Sequence, residues 1–338
     1  MYRSDKRPRI ALIYGGEGKE HDVSLLGKDY LAGLIDPGKY LRTDVLIDRL
    51  GAWYIVDKEK MSPTFPVRLG DKCGLLSDNG ILRIDCAIPL LHGDRGEDGR
   101  VQGLLECANI PFIGADTATG AIVSDKDYTK RIAESLGIPV ARGVRIPRGT
   151  PLSIAREMAE SLGYPLFLKP TGLGSSVGAY EVPGDERLEQ IYDGAMALGS
   201  DLMLEELIED KRELEVAFFS ALGRVILTHP GEPICVGTYG FSEKYGGSTT
   251  VSDRAEVSEE IAEKIADYSA TLAGALKLRH LARIDFFLSG ERLLFNEINS
   301  FPGFTAESLY PRLMARAGIA PDRLIDMMLE DCLLDRRI

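Results

Sequence analysis

The 338-residue sequence contains no apolar run near the roughly 18–20 residues that a membrane-spanning helix needs, so no such span is expected. It also lacks a basic excess. Lys and Arg total 40 against 52 Asp and Glu, a net charge of −12. A general nucleic-acid binder needs a basic face and is not expected, although a few lysines can still converge on phosphates. Histidine is scarce, with four dispersed residues at 21, 92, 229 and 280. The five cysteines (73, 86, 107, 235 and 332) are odd in number and form no C-x-x-C. Neither a disulfide framework nor a zinc site is expected from them; buried free thiols in a reducing cytoplasm are. The opening MYRSDKRPRI has positive charge but no apolar stretch before a cleavage site, so no secretory signal is expected. There are no internal repeats. No G-x-G-x-x-G follows the first apolar run, which argues against a dinucleotide-dependent dehydrogenase.

Glycine, by contrast, is plentiful: 36 residues, above the roughly 7% of average usage, many of them in loops where backbone can approach a ligand. The length suggests two or three domains. Arg9–Tyr14 is a short apolar run broken by Gly15-Gly16. Val23, Leu26, Tyr30, Leu31 and Leu34 follow at helical spacing. Further runs at Thr43–Ile47, Trp53–Val56 and Cys86–Leu91 complete what reads as a parallel α/β unit. A second segment holds a helix over Asp127–Leu136, stopped by Gly137 and Pro139, and another from Pro151 to Gly163. Strands are expected at Pro165–Lys169 and Asp201–Glu205. In the third segment, Glu213–Ser220 and Val225–Thr228 read as paired strands. Ile261, Ile265, Tyr268, Leu272 and Leu276 form one helix face. The polar stretch Gly237–Ser252 is expected to be a mobile loop. The expected boundaries are 1–121, 122–211 and 212–338.

A hairpin near the end gives the clearest site pattern. If Ala282–Leu288 reverses through Ser289-Gly290-Glu291 into Arg292–Asn299, Asp285 faces Phe295 and Arg283 faces Glu297. Alternation then puts Arg283, Asp285, Glu297 and Asn299 on one face, with Ile284, Phe286, Leu294 and Ile298 on the other. Two carboxylates and an amide at that spacing suit Mg²⁺ shared with nucleotide phosphates; an ordinary solvated hairpin would look similar. Lys169-Pro-Thr-Gly-Leu-Gly-Ser-Ser-Val-Gly178 is a strand ending in Lys, then a Gly- and Ser-rich loop able to cradle phosphate or simply to turn. It is not a Walker A loop, because the Lys precedes the glycines. His92-Gly-Asp-Arg-Gly-Glu-Asp-Gly99 follows an expected strand, where α/β sheets bind ligands. His92 is either a ligand-contacting base or a plain loop residue.

Taken in order, these segments resemble the D-alanine–D-alanine ligase family of the ATP-grasp superfamily. The resemblance rests on GGEGKEHDVSL (15–25), HGDRGEDGRVQGLLE (92–106), SDK (124–126), FLKPTGLGSSVG (167–178), EKY (243–245), RIDFF (283–287) and NEINSFPGFTAESLYP (296–311). It implies an α/β, three-domain ATP-grasp fold: an N-terminal parallel α/β domain, then two α+β domains that sandwich ATP. Lys126 and Lys169 would meet the phosphates, Glu205 and Ile208 the adenine edge, and Glu213 the ribose. The Glu205–Glu213 interval is one residue longer than the family pattern. Asp285, Glu297 and Asn299 resemble ligands of Mg²⁺, two ions being usual and Mn²⁺ a substitute.

The resemblance also implies that Glu20 holds the ammonium of the first D-alanine, with Ser175 and Tyr245 linking Glu20 to the mobile loop. His92 lies near the first substrate. Arg283 and the Gly303 N–H match the oxyanion-binding pair, Ser308 and Leu309 the positions at the second substrate's carboxylate, and Lys244 the neighbour of the transferred phosphoryl group. The expected reaction proceeds through a D-alanyl phosphate to D-alanyl-D-alanine for peptidoglycan synthesis, in a cytoplasmic homodimer that binds neither nucleic acid nor membrane. The alternatives are a related ligase taking D-serine or another acceptor, and a nucleotide-binding protein without ligase activity. Three positions depart from the pattern: Asp22 where Glu is frequent, Ser124 where Met is usual, and Gly172 in place of a larger polar residue.

Overall fold

The computed structural model describes residues 5–174, 177–234 and 250–335. The chain opens with β1 (Arg9–Gly15), α1 (His21–Leu34), β2 (Leu41–Ile47), β3 (Trp53–Asp57), β4 (Lys60–Thr64), β5 (Pro66–Leu69), β6 (Lys72–Ser77), β7 (Gly80–Arg83), β8 (Cys86–Leu90) and α2 (Arg100–Cys107). β1 lies between β2 and β8, parallel to both, in a sheet ordered β4-β3-β2-β1-β8. The unit is therefore only partly parallel. β3 and β4 extend the sheet antiparallel, and β5–β7 form a separate antiparallel sheet. The expected run Trp53–Val56 lies in β3, whereas β4–β7 are each only four to six residues long, too short for apolar periodicity to reveal.

The middle of the chain supplies α3 (Thr117–Ser124), α4 (Lys126–Ser135), β9 (Gly143–Ile146), α5 (Leu152–Leu162), β10 (Leu166–Pro170), β11 (Tyr180–Val182), α6 (Asp185–Met196) and β12 (Leu202–Glu206). An antiparallel sheet, β11-β10-β12-β9, carries α5 and α6 over a core of its own that includes Leu166, Leu168, Leu188, Leu202 and Leu204. Asp125 caps α4 by accepting from the backbone N–H groups of Asp127 and Tyr128, which makes Lys126 the first residue of that helix.

The last segment contains β13 (Arg212–Ala221), β14 (Arg224–Leu227), β15 (Glu232–Ile234), β16 (Thr250–Ser252), α7 (Glu259–Ala275), β17 (His280–Ser289), β18 (Arg292–Asn299), α8 (Leu309–Arg316) and α9 (Pro321–Asp335). Its sheet is β14-β13-β17-β18. Ser258 caps α7 through the Ile261 N–H, and Glu259 and Glu260 occupy the favourable first turn. Ile265, Leu272 and Leu276 then bury against Leu214, Val216, Ile284 and Phe286. The opposite face of β13 joins a different core, shared with β1, β8, α8 and α9. The expected mobile loop 237–252 lies outside the described residues except at its end, where Thr250–Ser252 forms β16.

Two expectations need correction. First, Cys86 and Cys332 are joined in a disulfide across 246 residues. Sequence spacing hides the pair because only the docking of α9 beside β8 brings the two positions together. Cys73 and Cys107 are free, and Cys235 lies outside the described residues. Second, the β17–β18 register differs. Ser289 pairs with Arg292, Phe286 with Phe295, Asp285 with Glu297 and Arg283 with Asn299. The turn is one residue tighter than expected, and a bulge at Asn296 shifts the register by one more. Near the turn the faces are exchanged: Phe295 enters the core beside Phe286, and Leu294 packs with Phe287. Beyond the bulge, two one-residue shifts restore the original face.

Candidate active site

A cleft of about 890 Å³ lies between the middle and last sheets. Its lining includes Lys126, Phe167, Lys169, Glu205, Ile208, Lys211, Glu213, Asp285, Phe287, Asn296 and Glu297. A second lobe, about 490 Å³, shares Lys126, Leu173, Gly174 and Glu297 and adds Gly93, Glu97, Ser124, Gly172 and Asn299. The five residues expected at the nucleotide (Lys126, Lys169, Glu205, Ile208 and Glu213) and two of the three expected metal ligands therefore line one cavity.

The first lobe is held by buried charge. Lys169 is the penultimate residue of β10 and its ammonium lies 2.6 Å from Glu205 on the neighbouring strand β12. Lys130, one turn beyond Lys126 on α4, pairs with the other oxygen of Glu205. Lys130 and Glu205 are only 2% and 3% exposed. Removal from water alone would raise the Glu205 pKa, but the two ammoniums outweigh it and hold that pKa at about 2. The burial of Lys130 pushes its pKa down to about 8, against the pull of Glu205. Lys169 is desolvated too, yet Glu205 keeps its pKa above the ordinary lysine value. Lys169 also donates to the Asn296 side chain at 3.4 Å, which the β18 bulge turns into the cleft. Lys126 donates to the Leu173 carbonyl at 2.8 Å and lies 3.5 Å from Glu297.

On the hairpin, Arg283, Asp285 and Asn299 share one face as expected. Arg283 grips Asp285 with two hydrogen bonds, at 2.8 and 2.7 Å, and reaches Glu215 at 3.1 Å. Desolvation opposes its charge, but Asp285 and Glu215 together hold its pKa well above the usual arginine value. Asn299 donates to Asp285 at 3.1 Å, and Glu297 is directly cross-strand from Asp285. Among the described residues no three His, Cys, Asp or Glu side chains gather into a metal cage. Two carboxylates and an amide are instead an incomplete oxygen set, which fits a magnesium ion that takes its remaining ligands from phosphate and water.

The far side of the second lobe comes from the first sheet. Glu20 precedes α1 and is 9% exposed. Its carboxylate packs on Gly93, where an added Cβ would stand 1.9 Å from an oxygen, and it also approaches Gly174. Gly93 has φ +66°, so both space and conformation select glycine there. His92 is buried beside Phe301, and this burial lowers its pKa against the opposing field of Glu20. Glu97 accepts from the Gly93 N–H at 2.8 Å and the Phe301 N–H at 2.9 Å, tying the His92 loop to the loop after β18. Its burial pushes the carboxyl pKa up to about 7 despite those donors.

Ser308 and Leu309 open α8; the Ser308 hydroxyl accepts from the Thr305 N–H at 3.0 Å and lies under Gly303. The unpaired N–H groups of such a helix start suit a carboxylate. Ser175, Lys244 and Tyr245 lie outside the described residues.

Four participants were not singled out from sequence: Lys130, Glu215, Asn296 and Glu97. Two had a usable signal. Lys130 is four residues from Lys126 on the same helix, and Glu215 is two residues from Glu213 on the same strand face.

The family model described as "D-ala D-ala ligase C-terminus" matches residues 132–330, and that described as "D-ala D-ala ligase N-terminus" matches residues 9–115. The D-alanine--D-alanine ligase of Methylobacterium sp. (strain 4-46) is 33% identical over 97% of this chain and 92% of that protein. D-alanine--D-alanine ligase A of Mesorhizobium japonicum is 34% identical over 98% of this chain and 99% of its own length. Among solved structures, D-alanyl-alanine synthetase A from Vibrio cholerae superposes with a TM-score of 0.88 at 27% identity, covering 98% of this chain and all of that one. VanG D-Ala:D-Ser ligase from Enterococcus faecalis gives 0.84 at 29% identity, covering 97% of this chain and 100% of its own. With both family models in chain order and a second lobe lined from both matched segments, this chain belongs to the D-alanine–D-alanine ligase family.

Proposed function

We propose that this site joins two D-alanine molecules into D-alanyl-D-alanine at the expense of ATP, supplying peptidoglycan synthesis. One observation carries the reading: a lysine-lined cleft reaches the β17 and β18 carboxylates, one of them gripped by Arg283, and adjoins a second lobe whose Gly93 and Gly174 pack on the Glu20 carboxylate. In that reading ATP lies in the larger lobe. Lys126 and Lys169 neutralise its phosphates, Ile208 packs at the base and Glu213 accepts from the ribose. Glu20 holds the ammonium of the first D-alanine, next to His92. Lys244, Ser175 and Tyr245 complete the phosphoryl and loop contacts.

The first D-alanine carboxylate oxygen attacks the γ-phosphorus, forming a P–O bond as ADP leaves. The amine of the second D-alanine, oriented by Ser308 and Leu309, then attacks the acyl-phosphate carbonyl. Arg283 and the Gly303 N–H stabilise the tetrahedral oxyanion; the C–O bond breaks, phosphate departs, and the amine loses its proton. Asp285, Glu297 and Asn299 would hold magnesium, two ions with manganese as a substitute, to offset phosphate charge. Closure of loop 237–252 keeps water from the acyl phosphate. The division at 121 and 211 assigns the substrate wall, the middle sheet and the metal-bearing sheet to three units. A homodimer in the cytoplasm completes the proposal.

The test is phosphate release from Mg·ATP with single amino acids, with the products analysed. D-alanine-dependent release with the dipeptide formed is the expected result. ATP binding without turnover would reject ligase activity. The likeness to a D-Ala:D-Ser ligase favours one second reading, D-serine as acceptor. A mixed dipeptide formed in preference when both amino acids are supplied would select it.

A further inference from the structure

The link between β12 and β13 ends in Lys211, within the interval that is one residue longer than the family pattern. Asp210 takes φ +49°, and the chain turns so that the Lys211 side chain lies along the cleft, 22% exposed. Its ammonium stands 4.0 Å from the centre of the Phe287 ring and 5.6 Å from that of Phe167, rings carried by different sheets. Phe287 packs with Ala141, Ile208 and Leu294, so this end of the cleft is apolar. The nearest carboxylate oxygen, on Glu213, is 3.7 Å away, too long for a hydrogen bond. Among the described residues the ammonium makes no hydrogen bond. Lysine has three N–H donors, and leaving them unmade near apolar rings is costly. Burial accordingly pushes the Lys211 pKa down, with Glu213 opposing.

The phosphate-facing cations lie elsewhere: Lys169 is anchored by Glu205 and Asn296, and Lys126 by Leu173 and Glu297. We infer that Lys211 is a nucleotide-recognition residue that donates to a ring nitrogen or ribose oxygen at the base end while its charge rests on the Phe287 ring. The inference rests on the nucleotide reading given above. A purine supplies both missing elements, a flat face for two aromatic rings and acceptor atoms for a stranded cation.

The test compares the full-length wild type with Lys211→Met and Lys211→Arg. ATP dissociation constants come from calorimetry, and inhibition constants for Mg·tripolyphosphate, which lacks base and ribose, from competition with ATP. Lys211→Met keeps the apolar stem and should weaken ATP about tenfold, the scale of one charged hydrogen bond. Lys211→Arg should recover part of that loss. The tripolyphosphate constant and kcat at saturating ATP should each stay within about twofold of wild type. Unchanged or tighter ATP binding by Lys211→Met would overturn the inference, marking the ammonium as a bystander or a plug. Equal weakening of ATP and tripolyphosphate in a variant that melts like wild type would move Lys211 to the phosphates and also overturn it. A wild type that binds tripolyphosphate but not ATP would reject the nucleotide reading itself, and this inference with it.

Discussion

The two lobes of the cleft handle charge in opposite ways. In the larger lobe, Lys126, Lys130 and Lys169 are already matched by Glu205 and Glu297, so a polyanion entering there exchanges one set of partners for another. At the smaller lobe, Glu97 lines the wall, the Glu20 carboxylate packs against Gly93 and Gly174 of that wall, and the adjacent His92 has its pKa lowered by burial. In the proposed reading that wall receives an ammonium. The proposed reading uses that contrast: phosphate among lysines, zwitterion beside a buried acid.

The largest effect should come from the arginine that grips Asp285 at the edge of the larger lobe. Arg283→Lys keeps the charge but loses the two-pronged hold on Asp285, and should lower kcat about 100-fold or more. ATP affinity should change far less. Equal losses in kcat and ATP affinity, measured by steady-state kinetics and calorimetry, would place Arg283 in the larger lobe. Next, Glu20→Gln should raise KM for D-alanine about 10- to 100-fold, the worth of a charged hydrogen bond, and leave ATP binding unchanged. A shift in ATP affinity instead would erase the distinction between the lobes.

The smallest effect is on stability. The folded-state pKa of Glu97 is raised to about 7, above the unfolded carboxyl value, so folding favours its protonated form. Its contribution is fully present at acid pH and declines as pH rises from about 4.5 to 7. Relative to Glu97→Gln, the wild type should lose on the order of 1–2 kcal/mol across that window, less than a fully buried acid would because Glu97 is partly accessible. Melts at several pH values check this, and a parallel pair of profiles would show that Glu97 is ionised throughout.

Much of the arrangement was legible in the residues because periodicity is a local property. The α7 face and the strands flanking Lys169 were found where expected. The shared face of Arg283, Asp285, Glu297 and Asn299 survived because two one-residue shifts add to two, which restores the same face. Their pairing was not legible, since nothing local marks Asn296 as a bulge. Nor was the Lys130–Glu205 pair, whose members are 75 residues apart and meet only when α4 docks on β12. The Cys86–Cys332 link failed for the same reason over a longer interval.

The core that joins Leu12 and Leu90 to Leu324, Met328 and Leu329 sets an order of events during synthesis. The first sheet emerges early from the ribosome with one face covered only in part by α1, and the rest of its cover includes α9, made some 230 residues later. At roughly 5–20 residues per second that face waits on the order of ten seconds or more for its partner. The middle sheet, with a private core, can settle in the meantime. A chain cut short before residue 324 would keep nearly every residue of the cleft yet leave that face open to aggregation.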